Sequence, residues 1–197
     1  RIQRELWYGH ADMNTGKRTT PAYGALDAFF PAVLALSGDL TRAARLQQSS
    51  FKMWELHGIE PEEINYRTLE VTYPGYPLRP EIVESTYYLY HYTRRGTRTS
   101  RLLGSRASGS HRGPNDSAVY LRMGEQLFRD FVKHCRTESG YAALKSVVTK
   151  EKSDSMQSFV FAETFKYFYL LFAAPQTLKF DDFIFNTEAH PIRRTWK

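Results

Sequence analysis

Apolar residues recur every three to four positions over five stretches of this chain, and each stretch carries helix end signals. The first covers residues 26–36 and is closed by Gly38. The second runs from Asp39, a residue suited to cap an N-terminus, to about residue 57, with Gly58 beyond it. Its apolar set is Leu40, Ala43, Ala44, Phe51, Met53, Trp54 and Leu56. The third opens at Pro80, which fits a first helical position because the N–H it lacks would have no partner there, and ends near residue 92. The fourth covers about 117–136 and buries Val119, Met123, Leu127, Phe128, Phe131 and Val132. The fifth covers about 157–173. Short β-like stretches, YRTLEVTY, AALKSVV and LKFDDFIF, separate the helices. The pattern predicts an all-α chain of helix pairs joined by hairpin-like connections.

A faint internal repeat sharpens that picture. ESTYYLY, from Glu84, aligns with ETFKYFY, from Glu163, so that Glu and two Tyr coincide and Ser85 falls on Thr164. Helix pairs with an acid near the start of alternate helices fit an α/α toroid, whose inner helices aim their N-termini at one central site. An ordinary helical bundle fits the same pattern.

Several acids sit where chemistry is conceivable. Glu81 and Glu84 are three residues apart and share a helix face. Both lie in a first turn, where the helix dipole favours negative charge, so they also need no function to be there. Glu163 lies in SFVFAETFKYFYLLF, with aromatics on nearly every side. A buried carboxylate costs several kcal/mol unless it is paired or metal-bound. Lys166, a cation or a polar cavity would each satisfy it. In FNTEAHP, Thr187 offers a hydroxyl and a carbonyl, both hard oxygen ligands of the kind calcium takes, and Glu188 adds a carboxylate. A plain loop with a capping Thr accounts for that stretch equally well.

Composition excludes several classes. With 13 Tyr, 13 Phe and 3 Trp in 197 residues, the chain has ample material for one core and does not read as disordered. Its most apolar segment, FVFAETFKYFYLLFAA, carries Glu163 and Lys166 in its middle and reads as a buried soluble helix, not a membrane span. The net charge of +6 is local: residues 94–112 hold six Arg and no acid, and the remaining 21 basic residues balance 21 acids. That Arg/Ser/Gly-rich segment reads as a flexible loop, and an ordered nucleic-acid face is not expected. The single Cys135 falls in a mostly apolar helix and is expected as a small core residue. Asn115-Asp116-Ser117 is a sequon that points weakly to a secretory compartment. The chain opens at RIQRELWYGH with neither an initiator Met nor a signal peptide, so processing or truncation is expected to have removed what came before.

RPEIVES, SFVFAETFKYFYLLF and FNTEAHP, in this order and spacing, resemble the C-terminal half of the class I α-1,2-mannosidases, glycoside hydrolase family 47. GALDAFFPAVLALSGD resembles a further segment of that family, and Glu62 in EPEEIN matches its Pro-Glu motif. LDAFFPAVLALSGD, YPLRPEIVESTYYLY and SGYAALKSVVT look most like the EDEM branch, the mannosidase-like proteins of endoplasmic-reticulum-associated degradation.

The resemblance implies an (α/α)7 barrel, of which residues 1–197 would be the C-terminal part, with residues 94–118 as an inserted flexible loop. It implies a calcium ion held directly by Thr187, with its waters fixed by Glu62, Glu81, Glu84, Glu163 and Glu188. By the same matches Arg79, Phe159, Glu163 and Glu188 contact the terminal mannose, and Glu81 activates the attacking water. The implied activity is inverting hydrolysis of α-1,2-linked mannose on high-mannose N-glycans of misfolded glycoproteins, in the lumen of the endoplasmic reticulum. A lectin-like module with little turnover is the alternative, because EDEM activity often depends on a redox partner of the protein disulfide isomerase class. Gln157 departs from an acidic family position. The family's general acid and a further catalytic Asp belong to the N-terminal half, the other partner this segment would need.

Overall fold

The computed structural model describes residues 5–102 and 116–196, with the helical backbone alone over 95–102. Five α-helices lie within the described residues, together with three small antiparallel sheets. A hairpin of β1 (His10–Ala11) and β2 (Arg18–Thr20) opens the chain. A three-stranded sheet follows, in which β4 (Glu63–Asn65) lies between β3 (Ala22–Gly24) and β5 (Glu70–Tyr73), with Tyr23 opposite Ile64. At the other end β6 (Phe183–Phe185) pairs with β7 (Pro191–Arg193).

The predicted helix over 26–36 is two elements. Ala25–Phe29 is a 3₁₀ turn, and α1 is Phe30–Leu36. Pro31 sits at the start of α1 and has no N–H to give to the carbonyl of Asp27, so the α ladder cannot be continuous across this point. Ser85, fully buried, ties the junction down: its Oγ donates to the Ala28 carbonyl at 2.6 Å and accepts from the Ala32 N–H at 3.2 Å.

Helix α2 (Leu40–Glu55) follows its pattern, with the Asp39 side chain accepting from the Arg42 N–H at 3.0 Å. Helix α4 (Ser117–Cys135) follows in extent, capped by Asp116, whose side chain accepts from the Ala118 N–H, and it buries Met123, Leu127 and Phe131; Val119 and Val132 are half-buried, and Phe128, expected in the core, is 38% exposed. The two are joined by the Trp54 indole N–H, which donates to Asp130 Oδ2 at 3.0 Å. Cys135 is a fully buried free thiol, as its pattern predicts, and burial pushes it up to about 12.

Two helices depart from expectation. Helix α3 is Glu81–Leu102, ten residues longer than its apolar pattern, so the first part of the segment expected as a flexible loop is helical. Arg is a good helix former, and the lone Gly96 costs only about 1 kcal/mol, too little to stop a helix already nucleated. The rest of the Arg/Ser/Gly-rich segment and the Asn115 sequon lie outside the described residues. The predicted helix over 157–173 begins later, as a π turn, Val160–Thr164, that runs into α5 (Phe165–Phe172). Of the β-like stretches, AALKSVV makes only isolated bridges, through Leu144 to Tyr76 and to Lys152. LKFDDFIF divides into a 3₁₀ turn, Phe180–Asp182, and β6.

Helix α3 is the hub, packing against α1, α2, α4 and α5. Trp54, Tyr76, Phe131, Ile82 and Leu127 are buried in the core around it. Each such side chain contributes about 1.5–3 kcal/mol by leaving water. The α5 segment is not buried on all sides as its composition suggests: Phe161 and Tyr169 are 62% and 63% exposed.

Candidate active site

The site residues named from the sequence come from four places: the start of β4, the first turn of α3, the π turn before α5, and the β6–β7 turn. The lead-in to α3 is extended, then sharply bent at Leu78, which has φ 70°, and it delivers Arg79 and Glu81 to the same end of the helix. Glu81 is the first residue of α3, and Glu84 lies one turn on, its N–H donating to the Pro80 carbonyl at 2.9 Å.

Arg79 is already partnered. Its Nε donates to Glu62 Oε1 at 2.9 Å and its Nη2 to Glu62 Oε2 at 3.0 Å, a two-point charge-assisted pairing that fixes the guanidinium plane. The same guanidinium lies 6.0 Å from the centre of the Phe159 ring. Glu62 therefore orients Arg79 with both oxygens. Arg79 and Phe159 together form one cationic and aromatic wall.

The other acids form a separate group. Burial pushes Glu81 up to about 7; Glu163 and Glu84 add repulsion, while its own N–H and Arg79 oppose the shift. Its Oε2 is buried without a hydrogen-bond partner among the described residues. Burial likewise pushes Glu163 up to about 7, with repulsion from Glu188 and Glu84 and a small opposing effect from Lys166. Burial raises Glu84, against the stabilising hydrogen bond that the Tyr167 hydroxyl donates to its Oε1 at 2.9 Å. Among the described residues no Lys or Arg forms an ion pair with Glu81, Glu84, Glu163 or Glu188. Lys166, which sequence offered as a partner for Glu163, donates instead to the Ala189 carbonyl at 2.6 Å.

Thr187 and Glu188 are exposed on the β6–β7 turn. Asn186 shapes that turn: its Oδ1 accepts from the N–H groups of Glu188 and His190 at 3.1 and 2.8 Å. Ala189 there has φ 53° and is fully buried.

No three His, Cys, Asp or Glu side chains among the described residues converge into a ready-made metal cage. The donor set suits a different arrangement. Glu163 lies within repulsive reach of Glu81, Glu84 and Glu188, Glu81 has an orphaned buried oxygen, and Glu188 follows Thr187, with its hydroxyl and carbonyl, on an exposed turn. A hard cation that keeps most of its waters would relieve the repulsion without direct carboxylate ligands.

Glu60 was missed by sequence reasoning. It is fully buried, neither carboxylate oxygen has a hydrogen-bond partner among the described residues, and burial, then Glu81 and Glu62, raise it well above the usual range. No local signal marks it: Glu60 lies in irregular chain between α2 and β4, and only the packing around it shows its burial. Thr164 and Tyr167 were also missed as contributors; their hydroxyls reach across to the α3 segment.

The profile of glycosyl hydrolase family 47 matches residues 2–105 and 115–194. The chain belongs to this family. It is 33% identical over 189 residues to α-mannosidase I MNS5 of Arabidopsis thaliana, covering 95% of this chain and 29% of that protein. It is 37% identical over 168 residues to ER degradation-enhancing α-mannosidase-like protein 3 of Homo sapiens, covering 84% and 16%. Among solved structures, the α-1,2-mannosidase from Trichoderma reesei superposes with a TM-score of 0.68 at 27% identity, over 90% of this chain and 40% of that one. The family 47 segment described here thus spans less than a third of these curated relatives. Its helix pairs are part of an (α/α)7 barrel, the architecture the motifs imply. The gap in the family match, 106–114, falls within the segment read as an insertion.

Proposed function

We propose that this chain is the calcium-dependent, water-activating part of an α-1,2-mannosidase that trims high-mannose N-glycans of misfolded glycoproteins in the secretory pathway. The observation that carries it is the group of acids around Glu163, namely Glu81, Glu84 and Glu188, none of them in an ion pair among the described residues, with Glu188 next to Thr187, on a family 47 framework. Thr187 would hold the ion directly, and Glu81, Glu84, Glu163 and Glu188 would hold its waters. Glu62 sits at the edge of this set, committed to Arg79. When bound, calcium supplies a positive anchor for sugar hydroxyls and ordered water.

The remaining chemistry belongs to side chains. The Arg79–Phe159 wall offers hydrogen-bond donors and an apolar ring face to a mannose. Glu81 Oε2, with no competing partner, takes the proton of the attacking water. An inverting glycosidase needs a second carboxyl group roughly 6.5–9.5 Å away to protonate the leaving oxygen. That acid is assigned to the part of the barrel outside this chain.

Mannose release from an α-1,2-linked oligosaccharide by the full-length protein, with and without chelator, tests the reading. Calcium-dependent release is expected. Glycan binding with no release would put the lectin-like module in its place.

A further inference from the structure

The backbone over residues 163–167 is little more than one turn long, yet its side chains touch three separate pieces of the candidate site. The Thr164 hydroxyl donates to the Leu78 carbonyl at 2.9 Å, and Thr164 is fully buried. Leu78 is the left-handed residue that immediately precedes Arg79. The Lys166 ammonium donates to the carbonyl of Ala189, the left-handed residue of the turn that carries Thr187 and Glu188. The Tyr167 hydroxyl, on a side chain 1% exposed, donates to Glu84 Oε1.

Each bond falls where the backbone or the carboxylate would otherwise be free to move. Left-handed φ values at Leu and Ala are sparsely populated and persist only where the surroundings over-determine them. Leu78 and Ala189 each have their carbonyl held by this one segment. Lys166 is the informative case. Three residues from Glu163, it would gain more from a carboxylate than from a neutral carbonyl. It serves the turn instead and leaves Glu163 without an ion pair.

We infer that Thr164, Lys166 and Tyr167 are positioning residues, which set the spacing of the α3 acids and of the Thr187–Glu188 turn around Glu163 and so set the site's affinity for a cation. The inference rests on the carboxylate site proposed above. Outer partners that orient ligands typically contribute a factor of about 10–100 in metal affinity.

The test uses the full-length protein and calcium itself, with affinity read by competition with a fluorescent chelator and the calcium-induced rise in melting temperature read alongside. Tyr167→Phe keeps the ring and its volume, and Lys166→Met keeps the stem. Each should weaken calcium binding roughly ten- to a hundredfold and shrink the calcium-induced rise. Lys166→Arg, which keeps a donor, should recover most of the loss. Thr187→Ala serves as the control. If it loses calcium while Tyr167→Phe and Lys166→Met bind as wild type and melt lower by equal amounts with and without calcium, these residues are merely structural and the inference is overturned. If Thr187→Ala binds calcium like wild type, the cation site itself is wrong, and the inference falls with it.

Discussion

Glu81 and Glu163 are acids that burial makes reluctant to ionise, and this has a measurable sign. Each lies at about 7 in the folded chain, against 4.5 for an unperturbed glutamate. The folded state therefore holds more protons than the unfolded state between about pH 4.5 and 7. Their contribution to stability is full below the unfolded value and is lost as pH rises through 7. In chelator, the melting temperature of the full-length protein should fall across this window. Calcium should reverse the trend, because the acids that hold its waters favour it when deprotonated, and its apparent affinity should rise with pH. Melting curves at matched pH, with chelator and with calcium, decide this; parallel curves would disconnect the acids from the cation. Glu81→Gln should nearly abolish turnover and leave glycan binding in place, because it removes a base and keeps the shape. Retention of most of the wild-type rate would move the water-activating role elsewhere.

Among the elements, the approach of α4 to α5 is the tightest point that a single substitution can probe. A Cβ added at Gly124 would lie 2.1 Å from Leu171 Cδ2. Leu171 is 1% exposed, so it can move away only by displacing buried neighbours or filling a void. Overpacking of this kind costs about 1–3 kcal/mol, against roughly 1 kcal/mol of helix propensity gained from Ala. Gly124→Ala should therefore lower the melting temperature, and the loss should shrink when Leu171→Ala is added. An unchanged melting temperature for Gly124→Ala alone would mean that Leu171 relaxes at no cost. The same contact holds α5, and with it the π turn of Glu163, against the rest of the chain.

At the scale of the molecule, two apolar faces stand open. On the 3₁₀ turn and α1, Leu26, Phe29, Val33 and Leu36 are 55%, 45%, 39% and 57% exposed at helical spacing. On the α5 side, Phe161, Tyr169 and Phe172 are 62%, 63% and 46% exposed. A closed toroid would cover both edges with the rest of the barrel. Residues 1–197 alone should bind a hydrophobic dye, self-associate in light scattering and release no mannose. A monomeric, active preparation of this segment would contradict the barrel-fragment reading. The full-length protein should release mannose first as the β-anomer, since a water ordered beside Glu81 attacks from the face opposite the leaving group. Proton NMR of the earliest product checks this, and an initial α-anomer would withdraw the role given to Glu81.

Residues alone carried much of this. Helical period, Asp39 as a cap and Pro80 ahead of Glu81 are local matters, settled within a few turns of chain. The motifs around Glu81, Glu163 and Thr187 pointed to the family because their order and spacing survive without any contact being known. Tertiary structure decided the rest. It paired Glu62 with Arg79, and it gave Lys166 to Ala189 where proximity along the helix had offered Glu163. It buried Glu60, which no reading of the sequence had singled out. It opened one side of α5, whose composition had read as wholly buried. It extended α3 by ten residues beyond its apolar period, because propagation of an existing helix needs no buried face. The α3 extension apart, which is local propagation, the deciding quantity was a distance across the fold, between residues far apart in the chain, and such distances have no local signature.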